Sequence, residues 1–200
     1  MGRAPSTTQA ELSHTAIRLF IDKGFDNTTI DDIAQAAGIG RRTFFRYFSS
    51  KNDLPWGDFE DLLARMEAQL AAVPEEVPLM EGLRQAILDF NRVPEVEWGY
   101  HRQRMELLLN VPTLLAHSTL RYSSWRHVVA QHVARRLDVA EDTLVPQTIA
   151  WVCLGVCLAA YEQWLRDDSS ELLPLLDQGL ALVDARIGTD VAWPRGSTSA

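Results

Sequence analysis

Thr28-Thr-Ile-Asp-Asp-Ile-Ala-Gln-Ala-Ala-Gly-Ile-Gly-Arg-Arg-Thr-Phe-Phe-Arg-Tyr-Phe48 is the stretch whose reading decides the fold. Either threonine can cap a short helix that has Asp31 and Asp32 in its first turn, where the helix dipole favours acids. Ala37-Gly38-Ile39-Gly40 then breaks the helix. Gly38 can take the positive φ of a tight turn, and Ile39 can plug back into a core. A third short helix starts near Gly40 and ends near Phe48. Phe44 and Phe48 lie four apart and point inward, while the rows Arg41/Phe45 and Arg42/Arg46 turn outward. A narrow apolar base under a guanidinium-bearing face is what a helix needs to enter the major groove, because the arginine fork matches the O6/N7 edge of guanine. Lys51 and the amide ends of the second and fourth helices suit phosphates.

Outward from this stretch the chain reads as helix throughout, and no segment alternates apolar and polar residues for long enough to make a strand. The first helix is expected over Gln9–Lys23, with Leu12, Ala16, Ile17, Leu19 and Phe20 at helical spacing and Gly24 as its stop. A fourth helix is expected from Ser50–Asp53 to Val73, with Pro55 in or just past its first turn. After the linker Pro74-Glu-Glu-Val-Pro78, helices are expected over Leu79–Arg92, Glu95–Asn110, Thr113–Leu137, Thr143–Asp168 and Glu171–Ile187. The fold class is therefore all-α with about nine helices. A three-helix domain over 1–54 precedes a helical domain over 55–188 and a loose tail over 189–200.

Composition bounds the function. The 200 residues have 46% hydrophobic and 23% charged residues and a net charge of -8, which excludes disorder and argues against indiscriminate coating of nucleic acid. The charge is uneven: residues 1–54 hold 7 Lys+Arg against 6 Asp+Glu, and the rest 12 against 21, so the net falls from +1 to -9. Contact with a polyanion belongs near the N-terminus. The two cysteines, Cys153 and Cys157, are four apart on a helix, too far for a disulfide, and read as reduced buried thiols of a cytoplasmic protein. The uncharged run Thr143–Tyr161 has too few strongly apolar positions to span a bilayer, and no membrane partner is expected. No phosphate loop or nucleophile elbow occurs, and His127 and His132 are badly spaced for a metal, so neither catalysis nor a cofactor is expected.

The positions Ala16-Ile-Arg-Leu-Phe20, Gly24-Phe25, Thr28-Thr29, Ile33-Ala34, Ala37-Gly38-Ile39, Thr43-Phe44-Phe45-Arg46-Tyr47-Phe48, Lys51 and Leu54 resemble the tetracycline-repressor (TetR) family of bacterial regulators. The resemblance covers about residues 9–55. It implies an all-helical homodimer whose first three helices bind double-stranded operator DNA, whose middle helices enclose a small-molecule effector, and whose last two helices form the dimer. The implied DNA-binding residues are Thr28, Thr29, Gly40, Arg41, Arg42, Thr43, Phe45, Arg46, Tyr47 and Lys51. Phe45 departs from the family pattern, which has Tyr there; a phenyl ring could touch a thymine methyl instead.

In the C-terminal half, apolar rows with polar anchors suggest a pocket for an amphipathic effector: Trp98, His101, Arg102, Met105, Leu108 and Leu109, then Arg121, Tyr122 and Trp125. Trp56 and the run Trp98-Gly-Tyr-His-Arg-Gln-Arg-Met-Glu are similar to regulators that accompany mycofactocin gene clusters in actinobacteria. That likeness implies a long-chain acyl-CoA effector. For the dimer the candidates are Trp151, Leu154, Gly155, Leu158, Tyr161, Leu165, Leu176 and Leu180, with Gly155 and Ala159 allowing close helix approach. The reading is a repressor at the bacterial nucleoid. Its alternatives are a carrier protein with a vestigial DNA module and an efflux repressor responding to an apolar drug-like compound.

Overall fold

The computed structural model describes residues 8–187, and the tail expected over 189–200 lies outside them. Among the described residues there are nine α-helices, two 3₁₀ turns and no strand. They fall into two compact units: residues up to Phe59 together with Val93–Ser118, and Glu60–Arg92 together with the chain from Thr119 onward. The first unit thus takes in 93–118 besides the residues before the 54/55 boundary read from sequence.

In the first unit, α1 (Gln9–Lys23) starts on a capping box in which Thr8 accepts from the Glu11 amide. It buries Leu12, Ala16, Ile17 and Phe20. Leu12, Ile17 and Phe20 each contribute about 1.5–3 kcal/mol on leaving water. α2 (Ile30–Ala36) and α3 (Arg41–Tyr47) are seven residues each, too short to persist alone, and are held by packing: α1 on α2, and α2 on α3. The fourth helix does not run unbroken from Ser50 to Val73. Lys51–Trp56 forms a 3₁₀ turn, Gly57 takes φ +54, and only then does α4 (Phe59–Ala71) begin. The physical reason is Pro55, whose missing N–H cannot sustain a helix ladder, followed by a glycine in the left-handed region. Ser13 Oγ donates to the buried Leu54 carbonyl at 2.7 Å and fastens this turn to α1. Glu95–Glu97 is likewise a 3₁₀ turn, and α6 begins at Trp98 (Trp98–Asn110). α6 packs on α1 and on the first 3₁₀ turn.

The second unit is built on α5 (Leu79–Phe90), α8 (Leu144–Arg166) and α9 (Leu172–Ile187), with α9 packed on both others. α7 (Pro112–Leu137) runs through the boundary at Ser118. Leu83, Ile87, Val129, Val133, Ala150, Cys153, Leu176 and Leu180 fill its core. The close approach of α8 and α9 is at Gly179, where a Cβ would stand 2.7 Å from Val156 Cγ1. Gly155, a dimer candidate, is exposed, and a Cβ there would meet nothing within 4 Å in the chain. Tyr161 donates its hydroxyl to Asn91 Oδ1 at 2.8 Å, and Asn91 donates to the Ile87 carbonyl, so this buried polar pair is satisfied. Both cysteines are free and buried; burial pushes the Cys153 thiol up to about 12 and Cys157 further in the same direction. α8, at 23 residues, is long and apolar enough by length and composition to cross a membrane, which the shorter apolar run read from sequence did not foresee. Its inner face, however, is packed inside the unit (Ile149, Ala150, Cys153, Leu154, Cys157, Ala160).

Candidate nucleic-acid interface

α2 and α3 meet through the four-residue turn Ala37-Gly38-Ile39-Gly40. Gly38 takes φ +66, and the Ile39 amide returns to the Ala34 carbonyl at 2.9 Å, a left-handed helix stop only glycine adopts without strain. Phe44 is fully buried and Phe48 is 5% exposed, their ring centroids 6.3 Å apart. On the other side of α3, Arg41, Arg42, Phe45 and Arg46 are exposed, and Thr43 and Tyr47 are half-buried. No acid lies on α3. A seven-residue rod is thereby seated by phenyl rings and presents three guanidinium groups outward.

The three are held differently. Arg41 Nη1 donates to Asp31 Oδ1 at 2.9 Å and lies over the Phe45 ring, 5.6 Å from its centroid. Arg46 lies 5.0 Å from the Tyr47 centroid and donates to its hydroxyl oxygen at 3.2 Å. Arg42 has no such partner among the described residues. The Asp31–Arg41 pair crosses the turn and was not foreseen; its only sequence signal is an acid in the first turn of α2 and a base in the first turn of α3.

Three of the expected contact groups have partners inside the chain. Thr28 is not a surface residue: it is 0% exposed, and its hydroxyl donates to the Gly24 carbonyl at 2.8 Å, closing the end of α1. Thr29, which is exposed, is the residue that caps α2. It accepts from the Asp32 amide and donates its hydroxyl to Asp32 Oδ2. Those hydrogen bonds, Thr29's side chain first, hold the Asp32 carboxyl down at about 2. Lys51 is half-buried and engaged within its own unit. Its Nζ donates to the carbonyls of Phe25 (2.8 Å) and Thr28 (3.0 Å) and sits over the Phe25 ring, pinning the loop between α1 and α2. At the starts of α2 and of the Lys51–Trp56 turn, the N-cap amides of Thr29 and Ser50 donate to Asp32 and Asp53.

Of the effector candidates, Trp98, His101, Arg102, Met105, Leu108 and Leu109 belong to the first unit and Arg121, Tyr122 and Trp125 to the second. Trp98 does not line an interior: it is 56% exposed at the first residue of α6, with its indole N–H donating to the Val93 carbonyl at 3.0 Å. Met105 and Leu108 are buried, and His101, Arg102 and Leu109 are half-buried. Burial, and then the Arg104 guanidinium, push His101 down to about 4. In the second unit Trp125 is buried edge-on to Phe90, Tyr122 is half-buried, and Arg121 is ion-paired to Glu60.

Sequence reasoning missed two histidine contacts that fasten α1 and the first 3₁₀ turn to α6 and α7 inside the first unit. His14 stacks on Tyr100 with centroids 4.0 Å apart, and its Nε2 is 2.9 Å from Glu97 Oε2. His117 Nε2 is 3.0 Å from Asp53 Oδ1.

The dimer candidates divide in two. Leu154, Tyr161, Leu176 and Leu180 are buried within the chain. Trp151, 57% exposed, and Gly155 lie on the outer face of α8 with the exposed Leu144, and Leu182 is exposed on α9. Leu158 and Leu165 are half-buried.

Residues 12–54 match the family model described as bacterial regulatory proteins, tetR family, and residues 77–188 match the model described as MftR C-terminal domain. The chain is 46% identical over 185 residues to the mycofactocin biosynthesis transcriptional regulator MftR of Mycobacterium tuberculosis, covering 92% of this chain and 93% of that protein. It is 32% identical over 173 residues to the HTH-type transcriptional regulator TcmR of Streptomyces glaucescens, covering 81% and 75%. In fold it resembles SmeT, repressor of a multidrug efflux pump of Stenotrophomonas maltophilia, with TM-score 0.61 at 16% identity and 90% of each chain covered.

Proposed function

The chain belongs to the TetR family of bacterial transcriptional regulators, and from that premise we propose that it is a cytoplasmic repressor: a homodimer that holds a palindromic operator and releases it when a small amphipathic effector binds. The observation that carries this reading is the face of α3, with Arg41, Arg42 and Arg46 exposed above buried Phe44 and Phe48. Phosphate contacts would set register, and the guanidinium groups would read bases. The exposed apolar row of α8 around Trp151 and Gly155 supports pairing of two copies, and two recognition helices about 34–36 Å apart would then meet successive major grooves.

For the effector we propose a long-chain acyl-CoA, on the likeness to mycofactocin-associated regulators. Release needs a link from the effector-binding helices to α3. The His14–Glu97 and His117–Asp53 contacts supply one inside the first unit, because a shift of α6 or of the start of α7 pulls on α1 and on the turn that follows α3.

Arg42→Ala is expected to weaken operator binding by about 1–3 kcal/mol and to relax base preference at one position per half-site, read by titration of labelled duplex at fixed salt. Wild-type protein with palmitoyl-CoA in the same titration should lose affinity by about 5–150-fold. An Arg42→Ala protein with wild-type affinity and sequence profile would overturn the assignment of α3 as the reading helix. A titration indifferent to palmitoyl-CoA would overturn the effector class alone.

A further inference from the structure

Arg41 is held from two sides, and folding does not require it. Its Nη1 donates to Asp31 Oδ1 at 2.9 Å, with the two side chains 58% and 70% exposed. Pairs this exposed add little to stability. α2 is already capped by Thr29 and Asp32 and needs no further acid. What the pair does is orient a flexible side chain. The guanidinium is a planar fork of five donors; a carboxylate on one nitrogen leaves the rest of the fork for another acceptor. The ring of Phe45, edge-on to buried Phe44, has the same guanidinium over its face, 5.6 Å from the centroid, within cation–π reach. A phenyl ring carries no hydroxyl to compete for the fork, so the phenylalanine at 45 suits the task of a stacking plate.

We infer that Asp31 and Phe45 are positioning residues that set Arg41 to read a guanine and bias it against phosphate. A bidentate contact to guanine O6 and N7 needs two donors presented in the base plane, and prior orientation removes the entropy of finding that pose. The Asp31 carboxylate also repels a nearby phosphate, so the pair lowers affinity for DNA in which Arg41 finds no guanine. This rests on α3 lying in the major groove. Asp31, which the sequence presents as a first-turn acid, thereby becomes a specificity determinant without being a base contact.

The test is site selection from a random duplex pool by the full-length wild type, Arg41→Ala, Asp31→Asn, Phe45→Ala and the double variant Asp31→Asn/Arg41→Ala. Affinity for a non-operator duplex is measured alongside, and thermal unfolding confirms that each protein is folded. Arg41→Ala should lose a guanine preference at one position per half-site. Asp31→Asn should weaken that same preference about fivefold or more while binding non-operator DNA about two- to tenfold more tightly. Phe45→Ala should weaken the preference at that position too. The double variant should match Arg41→Ala there, because Asp31 acts only through Arg41. The inference is overturned if Asp31→Asn enriches the wild-type site with unchanged preference, or if its losses fall where Arg41→Ala has none. A wild-type protein that enriches no sequence overturns the operator reading itself, and this inference with it.

Discussion

Phe44→Ala is expected to cost about 3–5 kcal/mol, the range for emptying a fully buried aromatic site. Phe44 is 0% exposed and touches the rings of Phe45 and Phe48. α3 has seven residues and no side-chain cap at Gly40, so little but this packing keeps it helical. A loss of that size is a large share of the roughly 5–15 kcal/mol that holds a typical domain together. Operator binding should fall further than with Arg42→Ala, because all three guanidinium groups lose their common seat. Hydrogen exchange should report lost protection over α2 and α3 before the rest of the chain. Phe45→Ala, which empties an exposed position, should leave the melting curve within about 0.5 kcal/mol of wild type. Should Phe44→Ala instead melt within about 1 kcal/mol of wild type, the view that phenyl packing seats α3 would be wrong.

The first three helices were legible because each is specified locally. Thr8 and Glu11 begin α1, Thr29 and Asp32 begin α2, and Gly38 sets the turn into α3. Pro55 and Gly57 also carry a local signal, which the smooth apolar periodicity of the fourth helix masked. What was not legible depends on groups far away in sequence. Thr28 and Thr29 are chemically alike; only the carbonyl at the end of α1 draws Thr28 inward and leaves Thr29 to cap. Lys51 reads as a surface cation until the loop carbonyls of Phe25 and Thr28 converge on it. α8 is apolar on nearly every side over Leu144–Tyr161, so periodicity cannot tell the row that faces α9 from the row left outside. The sequence pattern therefore groups Leu154 and Tyr161 with Trp151 and Gly155, from which their burial separates them. Spacing along two helices groups the effector candidates, and spacing does not report that the residues divide between two compact units.

Acid should destabilise this protein before its carboxylates titrate, and His132 is the reason in the second unit. It is 1% exposed on α7, and its Nδ1 accepts from Arg135 Nη2 at 3.1 Å, which fixes the neutral tautomer. Burial first, then the positive charges of Arg135 and Arg136, hold it down to about 4. In the unfolded chain it titrates near 6.5. Between these values the unfolded state binds the extra proton, so stability is intact above about pH 6.5 and declines as the pH falls toward 4. The slope approaches about 1.4 kcal/mol per pH unit for one such group, and the full loss is roughly 3 kcal/mol. His101, also held down to about 4 by burial and Arg104, adds a similar slope in the first unit. Asp32 does not blur the window, because its carboxyl is held at about 2 and its contribution is lost only below the ordinary carboxylate range. Urea unfolding at pH 7.5, 6.5, 5.5 and 4.5 should show this decline in wild type. His132→Gln, which keeps an acceptor for Arg135 and cannot protonate, should remove about one proton's worth of slope between pH 6.5 and 4.5 even if it lowers stability at pH 7.5. A variant slope equal to that of wild type would mean that folded His132 takes up its proton as readily as the unfolded chain does.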